Sequence, residues 1–348
     1  MSDAVSFRGR ALVGRELEER CVEITVEAGT VRAIEEVAAQ NDCWILPCFF
    51  NAHTHIADTI AMDMPVAGSL AELVAPPDGL KHRLLRAAPQ DDLVRAMQST
   101  VASMVQAGTA GFADFREGGV EGVHALRQAL EGAPCRAIIF GREGGETVAD
   151  GLGISSVREG VHVEAAVERA RALGLPVAIH AGEKDPHDID AALALEPDLI
   201  IHCTHADDRQ LRRIAEMGIP IAVCPRSNWT LGIAAGAYHP PLARMLARGC
   251  RVVLGTDNAM FVQPDMFREM AFTSLVYRIS ANEIMTMAVS GSELFCAPFF
   301  IEEGCPANFF LLDPMRNNYH FSHDVCTTVV KRVNSCNIIR TILNPATK

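Results

Sequence analysis

The sequence has 348 residues, of which 49% are hydrophobic and 21% charged, and its formal net charge is −12 at pH 7. These values are ordinary for a globular enzyme with a large core, built either as one large α/β domain or as two domains. The acidic balance argues against nucleic acid and anionic membranes as partners, because both need clustered lysine and arginine.

The N-terminal stretch "MSDAVSFRGR" lacks the apolar segment of a secretory signal, and no stretch reaches the roughly 18 apolar residues of a membrane span. The 11 cysteines are scattered and never spaced Cys-x-x-Cys, and most lie in apolar runs. This usage predicts reduced thiols rather than a disulfide framework or a thiolate zinc site. We therefore expect a cytoplasmic protein.

Both ends of the chain have strand patterns. Residues 22–27 alternate apolar and polar side chains before a turn at Ala28-Gly29, which predicts a half-exposed hairpin. Near the other end, "ANFFLLDP" and "TTVVKRVNSCNIIRTILNP" also read as short strands rich in β-branched residues. We expect the two ends to meet in one small β-sheet.

Between the ends, short apolar runs alternate with amphipathic helical stretches. The runs are "WILPCFFNAHTH", "AGFADF", "CRAIIFGR", "GLGISSV", "PVAIHAGE", "DLIIHCTH", "IPIAVCPRSN" and "CRVVLGTDN". Eight strands with helical crossovers predict an α/β fold, either a (β/α)8 TIM barrel or a doubly wound sheet. No Gly-x-Gly-x-x-Gly or P-loop follows the first strand, which favours the barrel. Barrel active sites lie at the carboxyl ends of the strands.

Four of these runs end in metal-type ligands. Residues i and i+2 of a strand share a face, so the two histidines of "NAHTH" should point the same way. Taken singly, a strand-end histidine is more often a hydrogen-bonded core residue, and an aspartate after Gly-Thr is often a helix N-cap. Taken together, they predict one divalent metal site, Zn²⁺ by preference and Fe²⁺ or Mn²⁺ as alternatives. The residues at these strand ends are His53, His55, His180, Glu183, His202, His205 and Asp257.

A metal site of this kind lowers the pKa of water to about 7, so hydrolysis is the natural chemistry. Glu183 lies three residues past His180, over the rim of the barrel. Near a dry pocket its pKa should rise, as a proton donor needs.

The strings "PCFFNAHTH", "HAGE", "IIHCTH", "VCPRSN" and "VVLGTDN" resemble the amidohydrolase superfamily. The nearest branch is that of the mononuclear aminohydrolases, which includes cytosine, guanine and S-adenosylhomocysteine deaminases and chlorohydrolases. The resemblance spans nearly the whole chain. It implies that residues 1–46 and 304–348 form a small composite β-sandwich beside a catalytic (β/α)8 barrel of residues 47–303. The lysine that bridges two metals in binuclear members is missing from "GLGISSV", which favours one metal ion per chain.

The resemblance also implies a role for each ligand-type residue. The implied metal ligands are His53, His55, His180 and Asp257. Asp257 would double as the base that takes the proton of water. Glu183 fills the place of the acid that shuttles a proton to the substrate ring nitrogen. His202 fills the place of the histidine that holds and polarises the attacking hydroxide, and in some members it is a further ligand.

Contacts to substrate are predicted at other strand ends. An alternative interpretation has equal weight in each case: His205 is a structural residue of the rim, and the arginines form local ion pairs instead of contacting substrate. Two arginines facing the pocket would indicate a substrate with a carboxylate, a phosphate or a polar ring edge. The candidates are Arg116, Glu117, Arg142, His205, Arg226 and Asn228.

The sequence thus predicts a hydrolase of a non-peptide C–N bond that deaminates an amino-heterocycle or a nucleoside-like small molecule. Two alternatives stay open: an enzyme that opens a cyclic amide or imidazolone ring, and a catalytically inactive barrel that serves as a binding module. The complete ligand set argues against the second. The expected partner is a small-molecule substrate, and a homo-oligomer stays open. Residues 64–80 are predicted to form either a mobile flap or an ordinary surface loop with a short helix.

Overall fold

The computed structural model describes residues 4–38, 43–159 and 162–344. The strands in these residues are β1 (Val5–Val13), β2 (Glu18–Glu27), β3 (Thr30–Glu36), β4 (Trp44–Pro47), β5 (Phe49–His55), β6 (Thr109–Arg116), β7 (Arg136–Gly141), β8 (Gly151–Ile154), β9 (Val177–Ala181), β10 (Leu199–His202), β11 (Ile221–Val223), β12 (Val252–Leu254), β13 (Asp257–Asn258), β14 (Phe309–Leu312) and β15 (Ile338–Ile342).

The helices complete the order of elements. They are α1 (Leu70–Val74), α2 (Leu80–Ala87), α3 (Gln90–Gln106), α4 (Gly119–Ala129), α5 (Val163–Ala172), α6 (Ile189–Ala194), α7 (Asp208–Met217), α8 (Pro225–Thr230), α9 (Leu242–Ala247), α10 (Met266–Tyr277), α11 (Ala281–Val289), α12 (Ser292–Phe295) and α13 (Val325–Arg332).

The central layer is a parallel sheet of order β12-β11-β10-β9-β8-β7-β6-β5-β13. Its two edge strands, β12 and β13, are consecutive in the chain. Between them Gly255 N donates to Val223 O at 2.9 Å, and Thr256 N donates to His53 O at 3.0 Å. This segment therefore bonds both β11 and β5 and closes the sheet. The predicted (β/α)8 barrel is confirmed.

The crossover helices form because the sequence caps them and gives them one apolar face. In α7, Asp207 and Gln210 make a reciprocal capping box, and Gly218 ends the helix with a left-handed φ of 67°. Leu211 and Ile214 are buried against the barrel. Such crossovers put the carboxyl end of every strand on the same rim.

Both chain ends contribute to a second sheet, of order β15-β14-β4-β1-β2-β3. The expected hairpin is β2 and β3, and β14 pairs antiparallel with β4. Phe7 and Phe309 meet edge to face at 5.2 Å in the core under this sheet. The division of the chain into a terminal sandwich and a barrel domain stays a prediction.

The strand reading of "TTVVKRVNS" is wrong, because these residues lie in helix α13 or just after it. Asp324 caps this helix by accepting from Thr327 N. The buried side chains repeat with helical spacing and pack against α10 and α11, so tertiary burial overrides β propensity. These side chains are Val325, Cys326, Val329 and Val330.

All 11 cysteines lie in the described residues, and none of them forms a disulfide bond. Within the described ranges, no helix is both long enough and apolar enough to cross a membrane.

Candidate metal centre

Four of the predicted ligands meet at the carboxyl rim of the barrel. His53 Nε2 lies 3.2 Å from Asp257 Oδ1 and 3.3 Å from His180 Nε2, and His55 Nε2 lies 3.5 Å from the same Asp257 oxygen. Ligand atoms arranged tetrahedrally about 2.05 Å from a zinc ion stand about 3.3 Å apart. All four side chains are buried. The ligand atoms of His53, His55 and His180 lie within 4.8 Å of one another, and so do those of His53, His202 and Asp257. Because the two sets share His53, their spacing suits one metal ion beside this histidine.

The other ring nitrogen of two histidines faces an acceptor. His180 Nδ1 donates to Ile154 O at 2.8 Å, and His55 Nδ1 lies 2.7 Å from Glu117 Oε1. A proton on each Nδ1 leaves the Nε2 lone pair free to bind a metal.

Burial also sets the charge of the ligands. Desolvation lowers the pKa of His53 and His180, and with the nearby Lys81 ammonium it lowers the pKa of His55 to about 3. Burial opposes ionisation of Asp257, but the contact with His53 holds the pKa of this carboxyl well below its usual range. Neutral imidazoles and an ionised carboxylate are the forms that bind metal.

The backbone is strained where the ligands leave the strands. His202, Cys203 and Asp257 have φ values of 75°, 48° and 61°, in the left-handed region that residues other than glycine rarely adopt. Backbone strain of this kind clusters at functional sites, where the surrounding structure fixes it.

Ser227 fixes the second oxygen of Asp257. The Ser227 hydroxyl, in α8 just after β11, donates to Asp257 Oδ2 at 2.7 Å and is fully buried. The sequence "CPRSN" predicted substrate contacts for Arg226 and Asn228, the two neighbours of this serine, but no role for the serine itself. Its place just after a strand end was the signal that could have found it.

Glu183 stands beside the ligands. It follows β9 after the tight turn at Gly182, and its Oε1 lies 3.6 Å from His202 Nε2. Its side chain is 21% exposed. Burial raises the pKa of Glu183 despite the opposing effect of His202, which favours the protonated acid.

A cavity of about 340 Å³ opens over these residues. Its lining combines the metal-type ligands, Glu183, several cationic side chains, and apolar residues from the segment around α1. The lining residues that matter here are His55, His180, His202, Asp257, Glu183, Lys81, Arg142, Arg158, Lys184, Leu70, Val74, Ala75 and Pro76.

Lys81 is a second residue of the site that the sequence did not predict. It lies in the first turn of α2, lines the cavity, and is only 3% exposed. Its Nζ lies 2.8 Å from Glu117 Oε1. A lysine in a short polar helix carries no sequence signal of burial, since such residues are usually solvated.

The predicted substrate contacts divide into two groups. Arg142 lines the cavity. Arg116 is buried and is not among the residues that line this cavity. Its guanidinium lies 3.1 Å from Asp114 and 2.6 Å from Glu117. The buried Glu117 faces His55 and Lys81. The ion pairs of Arg116 and Glu117 match the alternative reading of the rim residues.

The remaining candidates lie away from the described cavity lining. Asn228 is fully buried and donates to Thr204 Oγ1 at 2.7 Å. The His205 ring stands 4.9 Å from the His239 ring, and Arg226 pairs with Glu269 at 2.6 Å. Contact of these residues with a substrate stays a prediction.

The chain is similar to known deaminases and aminohydrolases in sequence and in fold. Residues 78–299 match the family model described as adenosine deaminase. A putative aminohydrolase of Methanothermobacter thermautotrophicus is 31% identical over 99% of this chain and 98% of its own length. A 5-methylthioadenosine/S-adenosylhomocysteine deaminase of Pelotomaculum thermopropionicum is 27% identical over 86% of this chain and 79% of its own length. The structure of an adenosine deaminase from Xanthomonas campestris with bound zinc has a TM-score of 0.79 at 16% identity, covering 96% of this chain and 90% of that one.

Proposed function

Because the chain belongs to the adenosine deaminase family of the amidohydrolase superfamily, we propose that it is a metal-dependent deaminase of an amino-heterocycle or a nucleoside-like small molecule. In this reaction water adds to the ring carbon that carries the amino group, and ammonia leaves. One observation carries the proposal: His55, His180 and Asp257 line the same cavity as the protonatable Glu183, and the buried His53 lies 3.2 Å from Asp257 and 3.3 Å from His180.

The residues suited to hold the metal are His53, His55, His180 and Asp257. Three neutral imidazoles and one carboxylate suit Zn²⁺, and Fe²⁺ or Mn²⁺ would also fit this donor set. The zinc bound in the Xanthomonas campestris enzyme supports zinc here. One ion per chain is part of the proposal, since the predicted fourth strand "GLGISSV" has no lysine to bridge a second metal. A divalent cation supplies Lewis acidity that lowers the pKa of water towards 7.

Asp257 and His202 would act on the attacking water. The Asp257 carboxylate is ionised, and Ser227 holds one of its oxygens, so the carboxylate is oriented to accept the water proton. His202 stands at the cavity wall next to Glu183, where its Nε2 can polarise the water.

Glu183 would act on the substrate. Attack on an amidine-like carbon requires a proton on the ring nitrogen, and the leaving amine needs another. A carboxyl group whose pKa burial raises can donate the first proton, and the proton taken by Asp257 can later serve the leaving group. The pKa of Glu183 is raised and that of Asp257 is lowered, which supports Glu183 as the acid and Asp257 as the base.

The cavity supports a small, polar substrate. Its volume of about 340 Å³ lies in the usual range for small-molecule sites. Arg142 and Arg158 both line it, which supports a substrate with a carboxylate, a phosphate or a polar ring edge. The deaminase from Pelotomaculum thermopropionicum supports a purine nucleoside framework.

Ammonia release tests the proposal. The zinc-loaded protein would be screened against amino-purines, amino-pyrimidines, pterins and their nucleosides, each with and without an acidic substituent. We expect ammonia from at least one compound, and about one tightly held metal ion per chain. Asp257→Asn serves as the inactive control.

Cyclic amides and imidazolones, assayed alongside the screen, test the first alternative: a ring-opening enzyme would consume them without releasing ammonia from an exocyclic amino group. A binding module would bind heterocycles without turnover at any metal loading, and this result would refute the proposal. A cytoplasmic location, which the lack of disulfide bonds supports, and a homo-oligomeric state belong to the same proposal, and sizing chromatography tests the second.

A further inference from the structure

The ammonium group of Lys81 is enclosed by three oxygen acceptors. Its Nζ lies 2.8 Å from Glu117 Oε1, 3.2 Å from Asn258 Oδ1 and 3.3 Å from Asp58 Oδ2. A lysine ammonium has three N–H donors. The contact with Asn258 is a hydrogen bond, and those with Glu117 and Asp58 are buried ion pairs, so the ammonium has a polar partner on three sides.

Every one of these acceptors is close to a metal-type ligand. Asp58 follows His55 by three residues, Asn258 follows Asp257, and Glu117 lies just after β6 with its Oε1 2.7 Å from His55 Nδ1. Lys81 itself comes from α2, outside the barrel strands. Through one buried cation, α2 is tied to three points around the metal centre.

The electrostatics favour a charged lysine. Burial alone would lower the pKa of Lys81, but the carboxylates of Asp58 and Glu117 raise it above its ordinary value. The ammonium is thus the stable form of this buried lysine.

The position of Glu117 depends on this pair. One of its oxygens, Oε1, faces both His55 Nδ1 and Lys81 Nζ, while Oε2 is held by Arg116 at 2.6 Å. Arg142 also approaches Oε1, at 3.7 Å. Without Lys81, the carboxylate could turn towards either arginine and leave the histidine ring.

We infer that Lys81 is a positioning residue that acts through Glu117 to hold the His55 ring in its metal-binding tautomer and orientation. The inference rests on the proposed function in that His55 is taken as a metal ligand. Lys81 also lines the cavity, so direct contact with substrate is the competing role. The two roles differ in what they change, because a positioning residue affects metal binding before any substrate is present.

The experiment is a double-mutant cycle on the full chain with Lys81→Met, Glu117→Gln and the combination of both. Lys331→Met, at an exposed position of α13, is the matched control. Zinc affinity is measured by competition with a chromophoric chelator, and the visible spectrum of the Co²⁺-loaded protein reports the geometry of the ligands. The values of kcat and KM are measured on the substrate found in the screen.

We expect Lys81→Met to weaken zinc binding about 10- to 100-fold, to alter the cobalt spectrum, and to lower kcat more than it raises KM. Since both residues act on the same ring, the double variant should bind zinc less than about threefold more weakly than Glu117→Gln alone. Lys331→Met should match the wild type in every measurement.

Three results would overturn the inference. They are unchanged zinc affinity in Lys81→Met, a raised KM as its sole effect, and losses that multiply in the double variant. If Lys81→Met does not fold, because it leaves buried carboxylates without a counter-ion, the charge-balanced double variant is compared with Glu117→Gln alone. A wild-type protein that binds zinc but deaminates nothing refutes the proposed function, whereas the zinc and cobalt measurements still decide the role of Lys81.

Discussion

Gly255 offers a direct test of how tightly the barrel wall holds the metal centre. A Cβ added at this position would lie 2.7 Å from His53 Cβ and 2.8 Å from His53 N. Carbon atoms in contact stand at least about 3.5 Å apart, so Gly255→Ala is about 0.8 Å short of space. The backbone oxygen of His53 would also lie only 3.0 Å away, so two of the three contacted atoms are backbone and a rotamer change cannot relieve the clash. Either β5 or residue 255 must move.

The size of the effect follows from this displacement. A misplacement of about 1 Å at a catalytic group can cost about 100-fold in rate, so we expect Gly255→Ala to lower kcat about 10- to 100-fold and to weaken zinc binding. Overpacking should also lower the free energy of unfolding by about 1–3 kcal/mol, which is a few degrees in Tm.

The assay combines steady-state kinetics, zinc content by mass spectrometry and thermal melting. Gly236→Ala is the matched control, because a Cβ at Gly236 meets nothing within 4 Å, and neither glycine has a left-handed φ. Kinetics and zinc affinity of Gly255→Ala within about twofold of the wild type would refute the claim that His53 is rigidly placed.

Two further predictions concern the proton donor and the flap. Glu183→Gln should lower kcat about 100- to 10,000-fold with metal content unchanged. Because burial raises the pKa of Glu183 and the acid form is the active one, wild-type activity should fall as pH rises through that pKa. If the residual activity of Glu183→Gln still falls over the same pH range, Glu183 is not the proton donor. Deleting part of residues 64–80 should raise KM or abolish turnover while sparing the metal, since Leu70, Val74 and Pro76 line the cavity, and unchanged kinetics would refute the role as a flap.

The sequence was informative wherever function depends on strand ends. A parallel barrel puts every strand's carboxyl end on one rim, so the positions of His53, His180 and Asp257 in their apolar runs were enough to predict their meeting. The barrel itself followed from the alternation of runs and capped helices.

The sequence misled where burial decided the outcome. The β-branched run at 325–332 is a helix because its apolar face packs on α10 and α11. Arg116 and Arg226 were predicted either to contact substrate or to form local ion pairs. In the structure Arg116 pairs with its chain neighbours Asp114 and Glu117, whereas Arg226 pairs with Glu269 of α10. The pairing of Arg226 links residues far apart in the chain and leaves no local pattern.

The sequence by itself determined the type of barrel, the metal-type ligands and the acid beside them, because these depend on periodicity and on the ends of strands. The tertiary structure alone decided how the ligands are oriented. Lys81, Glu117 and Ser227 come from three different elements, and contacts of about 3 Å between such residues exist only once the chain has folded.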